Sequence, residues 1–161
     1  MTIYILQIIS IILSIAVLAI VINTIEAFKK TKQIPLLTNG LNKTPIITLT
    51  QDDCTYNFIV DTGSCVSAID EKYIADLGAI KLNKTTEIVG IEGNPEEVHF
   101  YEINFECNNR MYTHNVIAKS FGNAFEPFFQ EQNIIIHGIL GSEFFSKHGV
   151  TINFKTNTLN V

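Results

Sequence analysis

Tyr56-Asn57-Phe58-Ile59-Val60-Asp61-Thr62-Gly63-Ser64-Cys65-Val66-Ser67-Ala68-Ile69 is a strand, a turn and a second β-prone segment in succession. An apolar, β-prone run ends abruptly at a carboxylate, and a second β-prone run, Val66 to Ile69, starts five residues later. Asp61 is thereby placed where a buried strand breaks into a tight turn. Gly63 lets backbone approach closely, and the Thr62 and Ser64 hydroxyls can hydrogen-bond around the carboxylate. A carboxylate so placed is either a turn-capping group or one half of a catalytic pair.

Outward from this turn the chain reads as short strands between turn signals. Strands are expected over 45–50, 55–60, 85–89, 98–106, 111–118, 134–136, 150–154 and 158–161. Asp70 reads as the N-cap of a short helix over 71–77 stopped by Gly78, and Ser142 as the cap of a second over 142–147 stopped by Gly149. Residues 120–132, with Phe121, Phe125, Phe128 and Phe129 around Pro127, show no regular period. Many short strands with one or two short helices predict an all-β, small closed barrel. The glycine-rich tip Gly90-Ile91-Glu92-Gly93-Asn94-Pro95 joins two of the strands.

The 161 residues contain 47% hydrophobic and 17% charged side chains, and much of the apolar excess lies at the start. Residues 3–22 carry no charge and are interrupted only by Gln7, Ser10 and Ser14. Twenty helical residues span about 30 Å, the thickness of a bilayer core, so 3–22 is expected to be an uncleaved transmembrane helix. Gln7, Ser10 and Ser14 share one helical face, a pattern suited to helix–helix contact in lipid. Lys29, Lys30 and Lys32 follow the helix and no basic side chain precedes it, which places the C-terminal part in the cytoplasm. Residues 23–42 read as a juxtamembrane linker, and 43–161 as the folded domain. Cys54, Cys65 and Cys107 are odd in number and lack CxxC spacing, so free thiols are expected rather than a disulfide framework.

The formal net charge is −5, and residues 43–161 hold 15 acidic and 8 basic residues, a net of −7. No basic stripe is available for nucleic acid. His99, His114, His137 and His148 lack metal-ligand spacing and read as structural or surface groups, with no cofactor implied. Cys65 has no sequence-adjacent histidine and reads as a packed thiol.

Asp61-Thr62-Gly63-Ser64, the glycine-tipped hairpin about 30 residues on, and Gly138-Ile139-Leu140-Gly141 near the end occur in this order and spacing. Together they resemble the retropepsin-like, single-lobe aspartic peptidases, of the membrane-anchored bacterial type. The resemblance covers roughly residues 44–161. It implies that Asp61 is the catalytic carboxylate, with Thr62, Gly63 and Ser64 supporting the turn. It implies a flap at Gly90, Ile91, Glu92, Gly93 and Asn94, and an active-site loop at Ile139, Leu140 and Gly141. The chain departs from the family after the loop glycine, where Ser142-Glu143 stands in place of an acidic residue or an arginine pair. Glu143 is a candidate replacement for the acidic member.

Peptide hydrolysis without a metal or covalent nucleophile needs a base for water and an acid for the carbonyl oxygen. Two carboxylates sharing one proton supply both. One such triplet occurs here, and 119 residues from Lys43 onward are too few for two lobes. A homodimer with one Asp61 from each copy is therefore expected, acting as an endopeptidase on an extended peptide or protein substrate. Ser64 is expected to donate to the Asp61 carboxylate. Ile34-Pro35-Leu36-Leu37, as an exposed linker, is a candidate self-cleavage site. The alternative function is a catalytically inactive, membrane-tethered module that binds peptides or regulates a partner.

Overall fold

The computed structural model describes residues 12–22, 24, 33–38, 44–89, 93–107 and 110–160. The chain divides into two units, Met1–Lys32 and Gln33–Val161. In the first, residues 12–22 form a helix, α1, whose apolar side chains, Ile12 to Ile22, are exposed. Thr24, also helical, donates its hydroxyl back to the Val21 carbonyl at 3.1 Å. Among the described residues no helix is long and apolar enough to cross a membrane. Residues 3–11 of the expected span lie outside the described residues.

The second unit contains β1 (Gln33–Pro35), β2 (Ile46–Gln51), β3 (Cys54–Val60), β4 (Ala68–Asp70), β5 (Ile80–Val89), β6 (Pro95–Cys107) and β7 (Arg110–Lys119). Then follow α2 (Glu126–Gln132), β8 (Ile136–Leu140), α3 (Ser142–His148), β9 (Thr151–Asn153) and β10 (Thr158–Asn160). Neighbouring strands run in the order β2-β3-β8-β4-β7-β6-β5. A further pairing of Thr50 with Glu106 joins β2 to β6 and closes a six-stranded barrel, leaving β5 outside the ring. The expected all-β closed barrel forms, with one 3₁₀ turn and two short helices, α2 and α3, among the described residues of this unit. Strand alternation fills it: Tyr56, Phe58 and Val60 of β3 point inward, as do Ile103 and Phe105 of β6 and Tyr112, His114 and Val116 of β7.

Beside the barrel, β10 lies between β1 and β9 in a three-stranded antiparallel sheet. The folded unit thus begins at Gln33 and not at 43. Ile34 and Leu36 are buried, the Leu36 N–H donates to Asn157 O at 2.9 Å, and Leu37 exchanges two backbone hydrogen bonds with Ile46. The segment expected as an exposed, cleavable linker instead buries Ile34 and Leu36 and leaves Pro35 and Leu37 exposed, because its alternate apolar residues have a hydrophobic surface to cover.

Three local expectations are corrected by tertiary contacts. Asp70 stands at the N-cap position as expected, extended at φ −69°, ψ 125°, but its side chain makes no cap hydrogen bond; it is also the last residue of β4 and pairs with Lys72 Nζ at 2.9 Å. Only a single 3₁₀ turn, Glu71–Tyr73, follows before the chain turns at Gly78. Residues 120–132, expected as irregular, hold α2, which starts with Pro127 in its first turn and ends on a left-handed Asn133. The strand expected over 134–136 is β8, shifted towards the C-terminus so that Gly138 can pass Ala68 and Ile69. A Cβ at Gly138 would collide with the Ala68 carbonyl oxygen.

Candidate functional site

β3 runs parallel to β8, with Val60 opposite Leu140, and this pairing carries Asp61 to the end of both strands. The Asp61 N–H donates to Leu140 O at 3.0 Å, continuing the ladder by one bond into the turn. Asp61 Oδ1 accepts the Gly63 N–H at 3.0 Å, and Asp61 O accepts the Ser64 N–H at 3.2 Å. Asp61 is half-buried, whereas Thr62 and Gly63 are exposed. The three expected turn residues therefore surround Asp61, with one difference. Ser64 does not donate to the Asp61 carboxylate; its hydroxyl donates to Val66 O at 2.7 Å.

Ile139 and Leu140 end β8, and Gly141 stands before α3, so the expected active-site loop meets the turn directly. Ser64 O accepts from both the Ser142 N–H at 2.8 Å and the Ser142 hydroxyl at 3.0 Å. A Cβ at Gly141 would sit 2.8 Å from Val66 C and 2.9 Å from Ser64 O, so the two segments can touch only through a glycine. The Gly141 N–H donates to the hydroxyl of Ser67, a residue with no exposed surface, at 2.9 Å. Glu143 reaches back to accept the Ser67 N–H and also faces His114 Nε2 at 3.2 Å. Ser142-Glu143 thus serves the loop through a hydroxyl and a carboxylate.

Ser67, His114 and His148 were not singled out in the sequence as parts of this site. His114 Nε2 lies 3.3 Å from Ser67 Oγ, and His148 Nε2 lies 3.3 Å from His114 Nδ1. Burial holds the His114 pKa below the ordinary histidine value against the opposing pull of Glu143. His148 is lowered to about 4, first by burial and then by His114, Lys147 and Arg110. The available signal was the alternation Tyr112-x-His114-x-Val116, which turns His114 inward with two core residues.

Val89 pairs with Pro95, so β5 and β6 form an antiparallel hairpin on either side of the expected flap segment. Gly90, Ile91 and Glu92 lie outside the described residues; Gly93 adopts φ 77°, a conformation that suits glycine. No residue of β5 is buried, and neither are Pro95, Glu96 and Glu97, but the half-buried Ile88 packs against the cluster of Ala68, Val98 and Ile117.

The remaining candidates sit elsewhere. Cys65 is exposed beside the turn and not packed, as is Cys54 on β3; only Cys107 is buried, which pushes its thiol up to about 11. His137 accepts the Asn57 N–H at 3.0 Å and packs against Tyr56 and Tyr73. Phe125 and Phe129 line an open pocket of about 360 Å³ with Lys72 and Tyr73, which includes no residue of the Asp61 turn.

No known protein-family model matches the chain, and no curated protein sequence matches it. Among solved structures it is similar to the EIAV protease complexed with the inhibitor HBY-793, at 19% identity and a TM-score of 0.52. That match covers 73% of this chain and 100% of the protease chain. The fold is retropepsin-like.

Proposed function

We propose that the chain is a membrane-anchored aspartic endopeptidase whose active site is completed by a second copy of itself. The observation that carries this reading is the Asp61 turn. A single carboxylate stands at the end of two parallel strands, its Oδ1 accepting the Gly63 N–H and its backbone bonded to Leu140 and Ser64, with exposed Thr62 and Gly63 beside it. Such a turn has the form of half a dyad, and a two-fold axis through it brings two Asp61 side chains together. Like charges at that distance share one proton.

In the resulting reaction the ionised Asp61 takes a proton from a water as that water's oxygen bonds to the scissile carbonyl carbon. The protonated Asp61 of the other copy gives its proton to the carbonyl oxygen. Collapse of the tetrahedral adduct breaks the C–N bond, and the amine nitrogen leaves with a proton returned from the dyad. The β5–β6 hairpin would cover an extended peptide lying across the two turns.

The proposed anchor is the uncharged segment 3–22, supported by the helical residues 12–22 and their exposed apolar side chains. Lys29, Lys30 and Lys32 favour a cytoplasmic peptidase unit. Tethering also raises the effective concentration of the two halves.

The test is peptide-library cleavage by the full chain against Asp61→Asn, with sedimentation of both. The expected result is loss of cleavage with self-association retained. Cleavage by Asp61→Asn at the wild-type rate, or a wild type that stays monomeric while cleaving, sinks the proposal.

A further inference from the structure

We infer that His114 and Glu143 are positioning residues of the Asp61 site, locking the Ser64–Ser67 loop against the Gly141 corner through a directed hydrogen-bond chain. The inference rests on the peptidase reading of Asp61 and concerns side chains that do not touch substrate.

Hydrogen-bond accounting sets the direction of the chain. Glu143 is a carboxylate and can only accept, so His114 must carry its proton on Nε2 to donate across the 3.2 Å contact. His114 Nδ1 is then an acceptor, which suits a proton on His148 Nε2 at 3.3 Å. The chain runs His148 to His114 to Glu143, and Glu143 also takes the Ser67 N–H. Ser67 in turn accepts the Gly141 N–H, while Ser142 holds Ser64 and Leu140 holds Asp61. Every link from β7 to the Asp61 turn is thus a named hydrogen bond or a shared backbone segment.

The chain has little slack. His114 is 2% exposed and packs edge-on against Phe144, so its ring has no alternative partner in water. Glu143 Oε2 is buried against Gly141 with no hydrogen-bond partner among the described residues, so Oε1 carries the whole interaction. Removing the His114 donor leaves a partly buried carboxylate held by one backbone N–H, which favours its movement out of the loop. Lys147 faces both histidines and Arg110 faces His148; both oppose a charge on the imidazoles and favour the neutral pair that the chain requires.

The test uses the full chain in detergent micelles, labelled with ¹⁵N-histidine and ¹³C-aspartate, as wild type, His114→Phe, His114→Gln and Glu143→Gln. The expected wild-type spectrum shows His114 as the Nε2–H tautomer. Glu143→Gln should move the His114 titration to lower pH, because the carboxylate is what raises it. The Asp61 carboxyl resonance should shift in His114→Phe and Glu143→Gln and return towards wild type in His114→Gln, which keeps an N–H donor. Peptide cleavage should lose roughly tenfold in kcat with KM little changed in His114→Phe. An Asp61 resonance unmoved in both disruptive variants, or an Nδ1–H tautomer for His114, overturns the inference. If His114→Phe does not fold, Glu143→Gln decides alone. A wild type that cleaves nothing while Asp61 still responds refutes the peptidase reading and supports the positioning chain.

Discussion

Gly141→Ala isolates the contact on which the Asp61 site is built. Gly141 adopts φ −81°, ψ 174°, a conformation open to any residue, so the substitution carries no torsional penalty. Its cost is steric: the new Cβ would meet Val66 C at 2.8 Å, Ser64 O at 2.9 Å and Glu143 Oε2 at 2.5 Å. Two of these are backbone atoms of the loop after Asp61. Carbon contacts settle at about 3.5–4.0 Å, so that backbone must retreat by roughly 0.7 Å. Overpacking of this kind costs about 1–3 kcal/mol. With a urea m-value of about 1–3 kcal/mol/M, the unfolding midpoint should fall by roughly 1 M.

Gly149→Ala is the matched control. Gly149 sits at φ 66° with open space around its Cα, so its cost is torsional, about 1 kcal/mol, and stays at the end of α3. Urea denaturation of the full chain in detergent, followed by peptide cleavage, separates the two. Gly141→Ala should lose stability and roughly tenfold or more in kcat, given the sensitivity of catalysis to sub-ångström misplacement. Gly149→Ala should lose stability alone. A Gly141→Ala protein with the wild-type midpoint and turnover refutes the close-approach account of the loop.

Deleting residues 1–30 should leave the second unit folded, since β1 begins at Gln33, and should weaken self-association. Unchanged sedimentation of the truncated chain at low concentration counts against the tethering role. Deleting 1–37 should in addition destabilise the unit, because it removes buried Ile34 and Leu36; equal urea midpoints for the two truncations would show β1 to be dispensable. The histidine pair predicts a pH dependence. His114 is held low and His148 near 4, below the unfolded value of about 6.5, so the unfolded chain binds more protons between the two values. Stability is therefore whole above about pH 6.5 and is lost as pH falls towards 4. The urea midpoint should drop across that window, and less so in His148→Gln; a slope identical in the variant removes His148 from the explanation.

The strand pattern was readable where side chains alternate against one core. Residues 46–60 and 98–118 show this clearly, because each inward position fills the same barrel. Reading failed where the contact partner is distant in the chain. Asp70 has the local chemistry of a helix cap, but β7 pairs with its backbone and draws it into a strand. The segment 33–37 is short, contains Pro35, and resembles a linker until β10, more than 120 residues later, offers it a partner. In α2 the phenylalanines mask the helical period, since none of Phe125, Phe128 and Phe129 is buried.

Local pattern is enough to show that a carboxylate ends an apolar strand at Asp61-Thr62-Gly63, that an apolar–apolar–glycine element returns near the end, and that one copy carries one such turn. What holds the turn is set by contacts between distant strands. Ser67, His114, Glu143 and Gly141 are far apart in the chain, and their hydrogen bonds exist because β4 pairs parallel with β7 on one side and antiparallel with β8 on the other. Local pattern reports which side of a strand faces inward. Which polar groups then meet inside depends on register between distant strands, and only the folded barrel sets it.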